Sequence, residues 1–204
     1  MDNYLLYGSG GHAKVVLECL ASEGKSVCGF FDDNPKEGVF KSVPILGVYD
    51  ESLYPKSSVI ITIGSNQIRK KLSQKIVHSF GSTIFKNSTV SPQATLGKGS
   101  MVLQGAILHA DSVVGNHVIV NTRAIVEHDC IVGDFVHLAP GSAICGHSQI
   151  GEGTLIGANA VVAPHVKIGK WCQISAGSSV LEDVPDFSLV MGVPGKVIKP
   201  LKIN

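Results

Sequence analysis

The sequence predicts an α/β + β chain, in which a small Rossmann-like unit precedes a parallel β-helix, and three observations carry that prediction. An aliphatic residue stands at every sixth position from Val90 through Leu96, Val102 and Leu108 to Ile168, Ile174 and Val180, without a miss. A second series follows it by four places and is small or Val throughout, from Ala94, Ser100 and Ala106 to Cys172, Ser178 and Val184. Ahead of both, residues 3–33 run from a short apolar stretch through a glycine-rich turn and a helical pattern to a second apolar stretch ending in acid.

Residues 3–7 form a short apolar strand, Gly8-Ser9-Gly10-Gly11-His12 a tight turn, and 13–21 a helix with Val15, Val16, Leu17, Cys19 and Leu20 at helical spacing. A strand over 27–31 ends in Asp32-Asp33, and another over 59–63 ends in Gly64-Ser65-Asn66. Residues 67–80 are expected to be helical through Ile68, Leu72, Ile76 and Val77, with 83–85 as a last strand of the unit. Gly8-x-Gly10-x-x-Ala13 is a loose dinucleotide fingerprint, and Asp32 stands where a ribose-binding acid belongs. The unit ends near residue 85, about half of what two mononucleotide-binding halves require, so it is sized for one nucleotide. Gly8, Gly10, Gly11 and His12 are expected at the phosphates or sugar, and Asp32 and Asp33 at the ribose or base. Asn66 and Arg69 are expected at the next strand's carboxyl end, where open α/β sheets bind ligands. A dinucleotide site, an ordinary polar loop at Asp32-Asp33, and a purely structural cap are the alternatives.

No helix has a period of six and a lone strand has a period of two, so the long repeat marks a solenoid. Each hexapeptide supplies one short strand and one turn, and three close a triangular coil of about eighteen residues. The aliphatic residue fills the prism corner, and the small residue points inward where a large one would not pack. Gly97, Gly115, Gly133, Gly151, Gly157 and Gly169 are expected to supply left-handed backbone at the corners. A β-sandwich would instead show irregular turn spacing and period-two alternation. The expected division is 1–85, 86–184 and a tail over 185–204, with the solenoid folding on its own because coil stacking supplies its core.

The chain has 204 residues, 44% of them hydrophobic, with a net charge of +1 and a mean hydropathy of +0.26. Nothing in that balance points to nucleic acid or an anionic membrane surface. No apolar run is long enough to span a bilayer and no secretory leader is evident. The five Cys are scattered without a C-x-x-C, and Cys130 and Cys172 fall on inward positions, so a cytoplasmic location is expected.

Tyr7-Gly-Ser-Gly-Gly-His-Ala-Lys-Val15, Phe31-Asp-Asp33, Ile63-Gly-Ser-Asn66, the hexapeptides, Asn121 to Gly133 with Glu127-His128-Asp129, and Gly192-Val-Pro-Gly-Lys196 carry a family likeness. Over essentially its whole length the chain resembles hexapeptide-repeat sugar acyltransferases of the sialic acid O-acetyltransferase type, notably the bacterial N-acetyltransferases of UDP-4-amino-4,6-dideoxy sugars. The resemblance implies a left-handed β-helix, a homotrimer, and acetyl-CoA lying between neighbouring helices. Left-handed coiling would be an exception to the right-handed crossover rule.

Acyl transfer to an amine or hydroxyl needs a base near the nucleophile and a donor for the oxyanion, and histidine suits the base near neutral pH. Six His lie in the repeats: His109, His117, His128, His137, His147 and His165. Residues eighteen apart stack on neighbouring coils about 4.8 Å apart. His128 is then flanked by Ala110 and Gly146, which leaves space beside its ring for substrate. Asp129 falls in a column with Asp111, His147 and His165, which also reads as a solvated charge ladder, and His109 stacks on Glu127. The resemblance assigns His128 as general base and the following acid, Asp129, as its orienting partner, where some relatives carry Glu. It assigns His137, Gly146, Gly177 and Gly195 to the cofactor, with the Gly146 N–H as oxyanion donor. No metal is expected, because Asp129, His147 and His165 in one column lie along a line, not around a centre.

These expectations converge on acetyl-CoA-dependent N-acetylation of a nucleotide-linked, UDP-type amino sugar. O-acetylation of a sialic acid or related sugar is the enzymatic alternative. A trimeric nucleotide-sugar-binding scaffold is the non-enzymatic one. Direct attack by the amine is favoured over a covalent route, since Cys130 points inward and Cys145 is a weak nucleophile candidate.

Overall fold

The computed structural model describes residues 3–34 and 38–201. The last three residues of the expected tail lie outside that description. The first strand, β1 (Asn3–Tyr7), is flanked in parallel by β2 (Ser26–Phe31) and β5 (Ser58–Ile61). The hairpin β3 (Val39–Phe40) and β4 (Val43–Gly47) completes a sheet of order β3-β4-β2-β1-β5. A parallel central strand is buried on both faces, and Leu5 and Leu6 point to opposite sides with no exposure. Helix α1 (Gly11–Ser22) follows the glycine turn, and α2 (Asn66–Ser73) follows β5. The helix expected over 67–80 ends earlier, because the Tyr49 hydroxyl accepts from the backbone N–H of Val77 and draws the chain away. The hairpin β3–β4 is not anticipated by the sequence pattern.

From Thr83–Ile84 onward, two-residue strands stack in three parallel sheets that close a left-handed β-helix. Residues pair one coil apart, Ile107 with Ile125, Val113 with Ile131 and Ile119 with His137. The aliphatic series from Val102 to Val180 is buried, and so is the small series from Ser100 to Val184. Hydroxyls are accepted inside the prism because they reach turn carbonyls of a nearby corner: Ser100 donates to Gly115 O, Ser148 to Ala163 O and Thr154 to Gly169 O, each at 2.8 Å.

Two details differ from the sequence reading. Thr83–Ile84 pairs with Met101–Val102 and is the first rung of the prism, not the last strand of the α/β unit. Gly97, Gly115, Gly133, Gly151, Gly157 and Gly169 serve close approach, not left-handed backbone. A Cβ on Gly97 would stand 2.5 Å from the backbone of Gly115, and one on Gly151 would stand 2.6 Å from that of Gly169. The left-handed corners are held by other glycines, Gly99, Gly105, Gly141, Gly153 and Gly177, and by residues with side chains, among them Asp111, His117, Asp129, Phe135, His147, His165 and Trp171. Polar and aromatic groups are therefore displayed in columns at the corners.

The two parts share a core. Met101, Leu103 and Ile119, on the outward side of the third sheet, are fully buried against Leu6, Val16, Leu20 and Phe30. Removing the α/β unit would uncover that apolar face. The end of the chain folds back: Ser188–Met191 extends the third sheet in parallel, and Lys196–Pro200 pairs with it antiparallel.

Ile156 has no solvent exposure and its inward neighbours are apolar. An unpaired carboxylate there costs several kcal/mol. Ile156→Asp is expected to abolish cooperative melting and soluble yield, and a normal thermal transition would contradict the register described.

Candidate active site

Three strand ends meet at the carboxyl edge of the α/β sheet. Tyr7 pairs with Phe31 and Ile61, so the chain leaves β1, β2 and β5 at one level. The resulting cleft, about 520 Å³, is lined by Gly8 to His12, Asp32 to Asn34 and Thr62 to Gly64 among others. It continues beside Lys14, Phe40, Lys41 and Ile45. Gly8 holds φ at +104° and its Cα lies against Ile63, while Thr62 Oγ1 donates to the carbonyls of Tyr7 and Gly8 and pins the turn. A Cβ on Gly10 or Gly11 would meet nothing within 4 Å, so space remains over the first turn of α1. A helix N-terminus offers unpaired N–H groups to an anion.

The two acids order this cleft as well as line it. Asp32 Oδ2 accepts from Ser9 N and Ser9 Oγ at 2.7 and 2.6 Å, and its Oδ1 accepts from Asn34 N at 2.9 Å. Burial raises the Asp32 pKa, but the Ser9 and Asn34 donors outweigh it and hold the carboxyl below its ordinary value. Tyr7 donates its hydroxyl to Asp33 Oδ1 at 2.6 Å. Burial and then that carboxylate push the Tyr7 pKa up.

Arg69 does not face the cleft. Its guanidinium is fully buried and donates to His117 O at 2.8 Å, Phe135 O at 2.8 Å and Ile63 O at 3.1 Å. It also donates to Asn66 Oδ1 at 2.9 Å. Asn66 in turn donates to Gly153 O at 3.0 Å. These two residues of α2 bolt the α/β unit to turns of the prism, which corrects their expected place against a ligand. Burial lowers the Arg69 pKa to about 9. Among the described residues it has no carboxylate partner.

His12 and His137 lie at the same junction. His12 Nε2 is 3.2 Å from Met101 Sδ, and His137 Nε2 is 3.1 Å from Asn121 Nδ2. Burial, and then the Arg69 charge, lowers each pKa to about 4. His117, stacked on Phe135 with ring centroids 5.1 Å apart, is lowered to about 4 by the same two causes.

His128 stands on another side of the molecule. It follows the strand Ile125–Val126 of the first sheet and precedes Ile131–Val132 of the second. That corner lies opposite the third sheet, on which the α/β unit rests. His128 Nδ1 is 2.8 Å from Asp129 Oδ2, and hydrogen bonding from His128 holds the Asp129 carboxyl below its ordinary pKa. The space expected beside the ring at Gly146 is taken by the ring itself, since a Cβ there would lie 2.7 Å from His128 Cε1. Glycine is what lets the imidazole lie down over the next coil. His147 Nε2 is 3.8 Å from Asp129 Oδ2, and His109 Nε2 is 3.6 Å from Glu127 Oε1.

One chain therefore does not gather all the residues singled out by sequence. His128, Asp129 and Gly146 share one corner, while His137 sits at the domain junction. Gly177, with φ +69°, lies in a corner column with Gly105 and Gly141, beside a groove of about 530 Å³. Gly195 donates its N–H to Ser179 O at 2.7 Å in the terminal hairpin. Met101 and Lys41 carry no motif and escape sequence reasoning, while Lys14 and Asn121 fall inside quoted motifs without being given a role. Only their positions in the fold reveal them.

The hexapeptide prism, the nucleotide-sized cleft and the exposed His–Asp pair together define a hexapeptide-repeat acyltransferase. The PglD N-terminal domain family matches residues 3–76, and the bacterial transferase hexapeptide family (six repeats) matches 147–181. Perosamine N-acetyltransferase of Caulobacter crescentus, solved with CoA and GDP-perosamine, is 36% identical with a TM-score of 0.92 over 98% of both chains. The acetyltransferase domain of PglB from Neisseria gonorrhoeae, solved with acetyl coenzyme A, is 34% identical with a TM-score of 0.92, covering 96% of this chain and 98% of that one. UDP-N-acetylbacillosamine N-acetyltransferase of Bacillus subtilis is 33% identical over 112 residues, 50% of this chain and 52% of that enzyme. The aligned stretches span 52% or less of the curated relatives' own lengths. The chain belongs to the PglD-like family of hexapeptide-repeat sugar N-acetyltransferases. Among the described residues no helix is long and apolar enough to cross a membrane.

The three depressed histidines set the acid stability. Their pKa is about 4 when folded against 6.5 as the ordinary value. Between those limits the unfolded chain binds more protons, so stability is complete above pH 6.5 and falls as pH drops towards 4. Melting temperatures across that window are expected to fall steadily, and to fall less steeply in His117→Phe, which keeps the ring stack. Equal slopes in the two proteins would contradict the assignment.

Proposed function

We propose that this protein transfers the acetyl group of acetyl-CoA to the amino group of a nucleoside-diphosphate sugar, within a homotrimer. The observation that carries the reading is the His128–Asp129 pair on an exposed corner, with Nε2 turned away from its acid. Asp129 accepts the Nδ1 proton, which leaves the Nε2 lone pair for the incoming amine. The amine nitrogen attacks the thioester carbonyl, and Nε2 takes the ammonium proton as the tetrahedral intermediate forms. Collapse expels the CoA thiolate, which recovers that proton from the imidazolium. The Gly146 N–H, beside the imidazole, is the proposed donor to the oxyanion.

The α/β cleft holds the nucleotide, with its diphosphate over Gly10, Gly11 and the N-terminus of α1 and its ribose and base towards Asp32, Asp33, Asn34 and Phe40. His12 lines this cleft, and His137, beside Asn121, stands at the junction with the prism. In one chain the prism stands between this junction and His128, so a second copy is needed to bring a base to the sugar. Closed homo-oligomers readily build sites from two copies of one surface pair. Acetyl-CoA would lie in the groove between the copies, towards Gly177 and Gly195. UDP is the nucleotide we assign, supported by the UDP-sugar in the name of the Bacillus subtilis relative. The GDP-perosamine bound to the Caulobacter relative makes GDP the comparison.

Loss of a general base costs about 10²–10⁴-fold in rate. His128→Ala is expected to lose that much kcat in a CoA-release assay with UDP- and GDP-amino sugars, while binding the nucleotide-sugar with unchanged Kd by calorimetry. Wild-type kcat in His128→Ala would overturn the assignment of the base. Turnover of GDP-linked sugars alone would overturn the nucleotide and leave the reaction intact.

A further inference from the structure

We infer that the corner of the prism carries a divalent transition-metal site, formed by His128 Nδ1, Asp129 Oδ2 and His147 Nε2, which switches the proposed base off when a zinc-like ion occupies it. The site rests on coordinates alone. Its effect on catalysis rests on the function proposed above.

The three ligand atoms lie within 4.8 Å of one another. His128 Nδ1 and His147 Nε2 are 2.8 and 3.8 Å from the same carboxylate oxygen. A tetrahedral zinc with bonds of about 2.0–2.2 Å holds its ligand atoms roughly 3.4 Å apart, a value between those two separations. Two imidazoles, one carboxylate and an open fourth position for water is an ordinary zinc donor set. The column of Asp129, His147 and His165 is linear and would not chelate. The ligands converge because the His128 ring lies down along its own column over Gly146 and so closes the triangle with Asp129 and His147 of the adjacent column.

The backbone fixes the parts. Asp129 and His147 occupy left-handed corner positions one coil apart, with φ of 60° and 62°, and the His147 N–H donates to the His128 carbonyl at 3.1 Å. The His128 and His147 rings meet edge to face at 5.2 Å. His165 stacks flat on His147, with centroids 4.8 Å apart and planes within 7°. The third ligand is thus braced from the side away from the ion.

The chemical consequence follows from the tautomer. A neutral imidazole carries one N–H. In the base-competent form that proton is on Nδ1, shared with Asp129, and Nε2 is free. An ion on Nδ1 takes the lone pair there, so the proton resides on Nε2. Nε2 then has nothing with which to accept the amine proton. The nucleotide cleft includes none of these three residues, so the effect is expected on kcat and not on nucleotide-sugar binding.

The test uses the full-length protein, zinc chloride and isothermal calorimetry, with CoA release measured in parallel. One zinc is expected per chain. His147→Ala, which removes a ligand, should weaken it by about tenfold or more, and by more than His165→Ala, which removes only the brace. Zinc should lower kcat reversibly, with recovery on adding EDTA, and the kcat of His147→Ala should resist the same concentration. Equal zinc affinity in His147→Ala and wild type, or equal inhibition of both, would overturn the site. The calorimetric arm stands even if the protein acetylates none of the sugars supplied, which separates failure of this inference from failure of the proposed function.

Discussion

A buried cation ties the two structural units together beside the apolar core they share. Arg69 carries a guanidinium with no solvent exposure, and backbone carbonyls of both structural units, with the Asn66 amide oxygen, receive its donors. A buried charge without a counter-ion is costly unless every donor is satisfied, and only a planar five-donor fork can reach this many acceptors. The two turns it grips, at His117 and Phe135, exist as neighbours only because the coils stack. The grip on Ile63 exists only because β5 ends there. Together with the apolar face the two units share and the Asn66 amide bonded to Gly153 O, that side chain fixes the position of the nucleotide-sized cleft over the prism. Lys70, the next residue of α2, adds an ion pair to Glu152 and lies over the Trp171 ring at 5.2 Å.

The same charge shapes the chemistry of the junction. His12 and His137 are half-buried near it, and desolvation with that charge lowers their pKa to about 4. Neutral imidazoles can accept as well as donate hydrogen bonds, which suits contact with a polar sugar. The exposed His128 corner is built on the opposite principle, with solvent access and a carboxylate partner. Two kinds of histidine, one half-buried beside a cation and one exposed beside an anion, are thus separated by the width of the prism.

The prism was legible in the sequence almost residue by residue, because a six-residue period has one structural solution and every inward position repeats it. The α/β order and the glycine turn were legible for the same reason of pattern. Arg69 was misplaced because its carbonyl partners lie in distant turns, and carbonyls leave no mark on a sequence. The hairpin at Val39–Phe40 and Val43–Gly47 was missed because its strands are short and only partly buried. Gly97, Gly115, Gly133, Gly151, Gly157 and Gly169 have a different physical role from the one expected, since the left-handed glycines are Gly99, Gly105, Gly141, Gly153 and Gly177: spacing shows where a side chain is forbidden, but not whether backbone angle or a neighbouring coil forbids it. The lean of His128 over Gly146 was likewise invisible. Column arithmetic places side chains above one another and cannot see one tilt.

The central claim is that the reacting centre is shared, with His128 from one copy and the His137 junction from the next. Subunit complementation tests this most directly. His128→Ala and His137→Ala chains, each inactive alone, are mixed, unfolded and refolded together, and CoA release is measured. Random assembly of a closed homo-oligomer would restore both intact surfaces at about one interface in four, so activity near a quarter of wild type is predicted. A mixture as inactive as either parent, in an assembly shown to contain both chains, would contradict a shared site and place the whole reaction within one chain.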